Sequence, residues 1–327
     1  MTIKIYYIVC LKYTMPKIKN NSVHVIMYHY VREIKKSRYP NLKGLEFSDF
    51  KKQINFFKER FDLLNQDSFM EIVKSKKIPK KPSILLTFDD GYYDHYKYVL
   101  PYLMKKKISG IFYPCINAIK QKKILDVNMI HFILEKEKDP KKILNLINFY
   151  LFKFYRTNLK NYDLKKIKLH SKYDDKITIL VKRLLQNFLP EKIRTKILTN
   201  IFHDIVDIDK SDFCKELYLS KNQIKEMSDN KMNFGIHGND HSWWEFLNKN
   251  EQEKEIVKSK SFFENNNINK KNLTICYPYG SFNRQTVNIA KREGIKFGFT
   301  TKTGAVRQNN INDIYTFPRF DTNDFKN

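Results

Sequence analysis

Residues 83 to 92 read Ser83-Ile-Leu-Leu-Thr-Phe-Asp-Asp-Gly-Tyr92, and the fold is decided there. Three apolar residues, Ile84 to Leu86, lead through Thr87 and Phe88 into two adjacent carboxylates, Asp89 and Asp90, and a turn residue, Gly91. Such a run is expected of a strand covered on both faces, which is how parallel strands are buried. Neighbouring side chains on a strand point to opposite sides. The two carboxylates therefore meet different surroundings and can hold different roles, one binding a cation and the other moving a proton. Taken alone, the segment is also ordinary strand-and-turn chemistry, because Asp-Gly is common in turns.

Strand and helix alternate on either side of this stretch. Upstream, His24 to Tyr28 is a strand that delivers His29 at its C-terminal end, and residues 33 to 46 read as loop. Ser48 caps an amphipathic helix with Phe50, Ile54, Phe57 and Phe61 on one stripe. A short strand from Phe61 to Leu64 and a helix to Val73 follow. Downstream, Tyr93 to Lys106 is a helix and Gly110 to Cys115 a buried strand. From Asp126 to about Asp212 the strand-like runs stop and helical periodicity takes over, as in Met129 to Lys136, Lys142 to Tyr155 and Ile177 to Leu189. Alternation then resumes. Strands are expected at Met232 to Ile236, Leu273 to Tyr277, Lys296 to Thr300 and Ile314 to Phe317, with helices opened by Ser220, Asn248 and Asn283. The expectation is an α/β fold: a closed or nearly closed (β/α) barrel of seven or eight mostly parallel strands, with chemistry at the C-terminal strand ends. In domain terms, residues 1–22 are an N-terminal extension. Residues 23–327 are a single barrel, interrupted by a helical insertion at about 126–212.

Composition narrows the function classes. Lys and Arg number 61 against 35 Asp and Glu, a net charge of +26 in 327 residues. The lysines are dispersed rather than clustered, which argues against nucleic acid as the partner and leaves a polyanionic glycan or an anionic membrane surface open. The four cysteines (Cys10, Cys115, Cys214 and Cys276) form no paired framework, and Cys115 and Cys276 sit in apolar stretches as buried thiols. Ile3 to Leu11 is apolar apart from Lys4 but is cut short by Lys12, a poor match to a secretory h-region, and Met15 is an alternative start. No run reaches the ~20 apolar residues that span a bilayer. The expected location is cytoplasmic.

At the end of the strand Met232 to Ile236 comes His237-Gly-Asn-Asp-His241. Two imidazoles four apart on a tightly wound turn can converge on one cation, and with Asp90 they make a two-His, one-carboxylate set with open positions, the pattern of a catalytic metal site. His29, Asp89, Asp90 and His237 all fall at or just past strand C-termini, where a barrel collects its chemistry.

Thr87-Phe-Asp-Asp-Gly-Tyr92 and His237-x-x-x-His241 resemble the first two motifs of the polysaccharide deacetylase (NodB-homology) family, and Tyr277-Pro-Tyr-Gly280 resembles its third. Met27-Tyr-His29 is similar to an N-terminal strand of many members. The resemblance runs from about residue 23 to the end, without motifs in 126–212. It implies a distorted (β/α) barrel and one divalent metal ion, commonly zinc, with cobalt or nickel as alternatives, and removal of N-acetyl groups from a sugar. Carried over by position, Asp90, His237 and His241 hold the metal and Asp89 is the general base that takes a proton from the attacking water. The Tyr279 backbone N–H stabilises the oxyanion. Trp243 and Trp244 are candidates for a sugar-stacking platform or for core.

Three departures stand out. Gly238 occupies a position that is usually Ser or Thr, so its loop must be held in another way. No Arg precedes Pro278 to orient the base, and Arg319 is the candidate substitute. The final Leu-x-His segment that supplies a general acid has no counterpart. The leaving amine is then protonated by Asp89 returning its proton, with His29 second and His95 a further candidate. The resulting reading is a metal-dependent hydrolase removing N-acetyl groups from an N-acetylated glycan or sugar precursor. The alternatives are a catalytically weak carbohydrate-binding barrel and an amidohydrolase acting on a non-sugar C–N bond.

Overall fold

The computed structural model describes residues 20–171, 174–268 and 272–325. The N-terminal extension, with its short apolar run, Met15 and Cys10, lies almost wholly outside the described residues. The strands are β1 (Val23–Tyr28), β2 (Val31–Arg32), β3 (Leu45–Glu46), β4 (Asp62–Leu64), β5 (Ser83–Asp90), β6 (Ile111–Pro114), β7 (Asn233–Phe234), β8 (Ile275–Cys276), β9 (Gly298–Phe299) and β10 (Phe320–Asp321). The helices are α1 (Phe47–Arg60), α2 (Gln66–Ser75), α3 (Leu100–Lys106), α4 (Ile116–Lys120), α5 (Asp126–Lys136), α6 (Pro140–Tyr155), α7 (Lys176–Arg183), α8 (Glu191–Val206), α9 (Lys210–Leu217), α10 (Lys221–Asp229), α11 (Lys249–Asn265) and α12 (Arg284–Arg292).

Every residue of β5 is buried, as its apolar run requires. Its one edge pairs in parallel with β1, from Val23 opposite Ser83 to Tyr28 opposite Phe88. The other edge is shared, β4 taking Ser83 to Leu85 and β6 taking Thr87 to Asp90. Parallel pairing continues from β6 to β7, and a bridge between Ile236 and Ile275 passes it to β8 and β9. A further bridge, Phe299 to Phe317, reaches the last segment, and β10 returns to β1 at Ile26 and Met27. The circuit closes through seven staves, several only two residues long, giving the distorted barrel that was expected.

Three local expectations are corrected. Ile314 to Phe317 is not a strand. Only Phe317 bridges β9, Pro318 cannot donate to a ladder, and the pairing with β1 is made two residues later by β10. Residues 33 to 46 are not all loop, because Leu45–Glu46 pairs in parallel with β2. Helix α1 starts at Phe47 with Glu46 at its N-cap, so Ser48 lies inside it. By contrast, Ser220, Asn248 and Asn283 each cap their helices with a reciprocal capping box, because each has a Gln, Glu or Thr three residues on.

Between β6 and β7 the chain is helical from α4 to α10. Helices α5 to α9 have their own apolar cluster, including Ile130, Phe132, Ile147, Leu184 and Ile201, which is continuous with Tyr30, Tyr92 and Cys115 at the C-terminal ends of the barrel strands. The helical block thus sits over the end where the chemistry is expected. Cys115, Cys214 and Cys276 are buried free thiols. Among the described residues no helix is long and apolar enough to cross a membrane.

One buried group makes the barrel sensitive to acid. His24, on β1, stacks 5.4 Å from Phe320 and meets Phe61 edge-on, and burial pushes its imidazole down to about 4. Between the unfolded value of about 6.5 and the folded value, the unfolded chain binds a proton that the folded chain does not, so stability falls as pH drops. From pH 7.5 to 5 that linkage amounts to about 2 kcal/mol. A His24→Leu variant is expected to lose less melting temperature over that interval than the parent. Equal losses would show that His24 carries no such linkage.

Candidate active site

The end of β5 separates its two carboxylates as strand alternation requires. Asp89 turns toward Arg319, which grips it with two hydrogen bonds: Nη1 donates to Oδ1 at 2.9 Å and Nη2 to Oδ2 at 2.7 Å. Arg319 is fully buried and spends its other donors on Thr87 Oγ1, the Thr300 carbonyl and Cys276 Sγ. Burial alone would raise the Asp89 carboxyl, but the guanidinium overrides it and holds the group at about 2. The candidate substitute for the absent motif arginine therefore reaches the base from the opposite end of the chain. Where that arginine would precede Pro278, Cys276 places its thiol 3.5 Å from Asp89 Oδ2.

Asp90 adopts φ +71° and Gly91 φ +73°, so the chain leaves the strand in a left-handed turn that aims the Asp90 carboxylate across the barrel mouth. At Gly91 a Cβ would come within 2.4 Å of Pro114, so the turn admits only glycine. Asp90 Oδ1 lies 3.3 Å from His237 Nε2 and 3.3 Å from His241 Nε2. The His237–His241 segment is a tight loop rather than a helix, with positive φ at Gly238 and His241. In place of a hydroxyl, Glu255 ties this loop down, its Oε2 accepting the Asn239 N–H at 2.7 Å and the Asp240 N–H at 3.4 Å. A Cβ at residue 238 would stand 2.5 Å from that same oxygen, so glycine there and the carboxylate brace belong together.

The donor set fits a metal ion on three grounds. His237 Nδ1 donates to the Cys276 carbonyl at 2.7 Å, which in the neutral ring leaves Nε2 as a bare lone pair facing Asp90. Asp90 Oδ1 is buried yet has no hydrogen-bond donor, a costly arrangement unless a cation fills it. Donors each about 2.0–2.1 Å from a tetrahedral ion stand roughly 3.3–3.4 Å apart, which is the separation of Asp90 Oδ1 from both imidazoles. Burial would raise Asp90, but the flanking imidazoles hold it well below its ordinary value. Burial lowers both histidines, and in His237 the neighbouring Cys276 and Asp90 outweigh it and raise the group. The second carboxylate oxygen of Asp90, Oδ2, accepts a hydrogen bond from Tyr92 Oη at 2.5 Å.

His29 stands at the mouth, 39% exposed, with Nε2 3.9 Å from Asp89 Oδ2. His95 is buried, hydrogen-bonds the His29 carbonyl through Nε2 at 2.9 Å, and is pushed by burial down to about 4, so it braces the loop. The two tryptophans divide their roles. Trp244 is core, whereas Trp243 stacks on Tyr279 with ring centres 4.5 Å apart, and Tyr279 in turn meets His241 edge-on at 4.4 Å. Arg183, from α7, lies 4.9 Å over the Trp243 ring. Tyr279 has φ +58°, and this left-handed turn inside Tyr277-Pro-Tyr-Gly280 swings its ring onto the histidine. Sequence reasoning missed Tyr92, Glu255 and Arg183. Only Tyr92 carried a signal, its place directly after Gly91.

Known proteins resemble this chain in sequence and in fold. The sequence model of the polysaccharide deacetylase family matches residues 76–144 and 192–298, skipping most of α6 and all of α7. The Bacillus subtilis protein YxkH, a polysaccharide deacetylase by name, is 32% identical over 88 residues, an alignment covering 27% of this chain and 31% of that protein. Two solved structures share the fold. The Streptococcus pyogenes deacetylase PplD, solved in complex with acetate, superposes with a TM-score of 0.55 at 17% identity, covering 93% of each chain. IcaB from Ammonifex degensii superposes with a TM-score of 0.52 at 16% identity, covering 92% of this chain and 91% of the other.

Proposed function

The chain belongs to the polysaccharide deacetylase family, whose sequence model spans more than half of it, and from that premise we propose that it is a metal-dependent hydrolase removing N-acetyl groups from an N-acetylated sugar or polysaccharide. The observation that carries the proposal is the convergence of Asp90, His237 and His241 beside a second, separately held carboxylate. In this reading those three residues hold one divalent ion, most simply zinc given two imidazoles and a carboxylate, with cobalt or nickel able to take its place. When bound, the ion polarises the acetamide carbonyl and makes a water acidic enough to be deprotonated near neutral pH.

Asp89, fixed by Arg319 and ionised throughout the physiological range, accepts the proton of the attacking water. The same oxygen pair returns that proton to the departing amine. His29, 3.9 Å away and open to solvent, is the second group placed to do so. The Tyr279 N–H is assigned to the developing oxyanion, and Trp243, stacked on Tyr279 with Arg183 over its ring, takes a sugar ring only once Arg183 moves off it. In domain terms we propose one barrel over 23–327, interrupted by the helical block. The free, buried thiols are compatible with a cytoplasmic location, where a sugar precursor is the expected substrate, whereas an exported protein would act on an assembled polysaccharide.

Elemental analysis of the purified protein and of His237→Ala, with acetate release from N-acetylhexosamine oligomers followed on the same samples, tests the reading. About one metal ion per chain, lost in the variant along with acetate release, is the expected result. A parent protein that binds no zinc, cobalt or nickel when supplied would overturn it in favour of a carbohydrate-binding barrel.

A further inference from the structure

The helical block does more than cover the barrel mouth, because a directed chain of buried hydrogen bonds runs from it to the proposed metal site. It starts at the N-cap of α5. The Leu125 N–H donates to Tyr218 Oη at 2.9 Å, and Tyr218 Oη donates to Asn128 Oδ1 at 2.6 Å. Asn128 Nδ2 then spends its two hydrogens on Tyr30 Oη at 2.6 Å and Tyr92 Oη at 2.7 Å. Because Tyr92 Oη accepts from Asn128, its own proton is left for Asp90 Oδ2, 2.5 Å away. The relay from Tyr218 to Asp90 is closed to water: Tyr92 and Asn128 have no exposure, and Tyr92 is clamped between Tyr30, with ring centres 4.0 Å apart, and Tyr218 at 6.3 Å. The polarity of every link is fixed by its neighbour, and the carboxylate is where the chain ends.

This bears on the metal site, and the inference rests on the function proposed above. An aspartate can offer a cation one oxygen or two. Here one oxygen is occupied, and only Oδ1 faces the imidazoles. We propose that Tyr92, itself oriented by Asn128 of the helical block, is a positioning residue that fixes Asp90 as a one-oxygen ligand, so that the metal site depends on a segment outside the strand-end motifs. Partners of ligating carboxylates and histidines typically alter metal affinity about 10- to 100-fold when removed.

The test is zinc affinity, measured by competition with a chromophoric chelator on the full chain. Tyr92→Phe keeps both ring stacks and removes only the hydroxyl, and is expected to weaken zinc binding about 10-fold. Its Co2+ form should differ in visible absorption from that of the parent, as a carboxylate freed to bind through both oxygens requires. Asn128→Ala is expected to weaken zinc as well, but to add less than about twofold once Tyr92 is already Phe, because it acts through that hydroxyl. Tyr150→Phe, which removes a hydroxyl bound to Asp204 inside the same helical block, controls for loosening of the block and should leave zinc affinity unchanged. Parent-like zinc affinity in Tyr92→Phe would overturn the inference and leave the metal site standing. Full, independent loss from Asn128→Ala in the Tyr92→Phe background would overturn the relay. A parent protein that binds zinc no better than His241→Ala would overturn both this inference and the proposed function.

Discussion

Arg319→Met is expected to lower stability by roughly 3–5 kcal/mol, the usual cost of leaving one partner of a buried ion pair alone, and to lower the melting temperature by roughly 5 °C. Methionine fills much of the volume but donates nothing, so Asp89, 2% exposed, loses both of its guanidinium bonds. The pH dependence separates this from a packing effect. In the parent, Asp89 is depressed to about 2, so its contribution is complete above the unfolded value near 4 and is lost only as pH falls from there to about 2. In the variant, burial outweighs the smaller pull of His237 and His29 and raises the carboxyl, and the sign reverses: its ionisation now costs stability as pH rises through neutrality. The gap between the two melting curves, measured with chelator present, should therefore be widest at pH 7.5 and should narrow toward pH 4.5. A gap independent of pH would mean that Arg319 supports the barrel without acting through Asp89. Activity should show the same coupling, with the acid limb of the rate profile moved to higher pH in the variant.

That pair also illustrates what a sequence can disclose. The strand ending in Asp89 and Asp90 was legible because a buried strand followed by polar turn residues is a local pattern, and the loop His237 to His241 was legible for the same reason. Arg319 was identifiable as a candidate only because the resemblance calls for an arginine before Pro278 and none stands there. Its bidentate grip across 230 residues is a product of tertiary folding. Glu255 and Asn128 were invisible. Each reads as one polar residue on an amphipathic helix, and nothing in its spacing says that it faces inward to an amide or a tyrosine. The misplaced last strand has a different cause. Ile314 and Phe317 are apolar because they pack on the core, but ladder pairing with β1 had to wait until the chain had passed Pro318.

Adjacent carboxylates should fail in different ways when each is neutralised. Asp89→Asn preserves shape and keeps an acceptor for Arg319, but the amide cannot take a proton, so the turnover rate is expected to fall by about 10²–10⁴-fold, the range for loss of a general base. Zinc affinity should change little, because Asp89 is not one of the Asp90, His237 and His241 donors and both of its oxygens are engaged by Arg319. Asp90→Asn reverses the pattern. It removes the charge that holds the two imidazoles' cation, while its side chain stays within reach of Tyr92, so zinc affinity should collapse and activity should follow it. Excess zinc is the discriminating variable. It should restore part of the activity of Asp90→Asn and none of that of Asp89→Asn, because occupancy can be forced by mass action whereas a missing base cannot. Equal loss of zinc in both variants would show that the two carboxylates act as one ligand cluster, and the division of labour set by strand alternation would be wrong. Rescue of Asp89→Asn by rising pH alone would point instead to hydroxide replacing the base, which still leaves the metal ligands as assigned. The strand geometry predicts one metal ligand and one base from two neighbours because residue 89 points inward to a guanidinium, while the left-handed turn at residue 90 carries its carboxylate to the imidazoles.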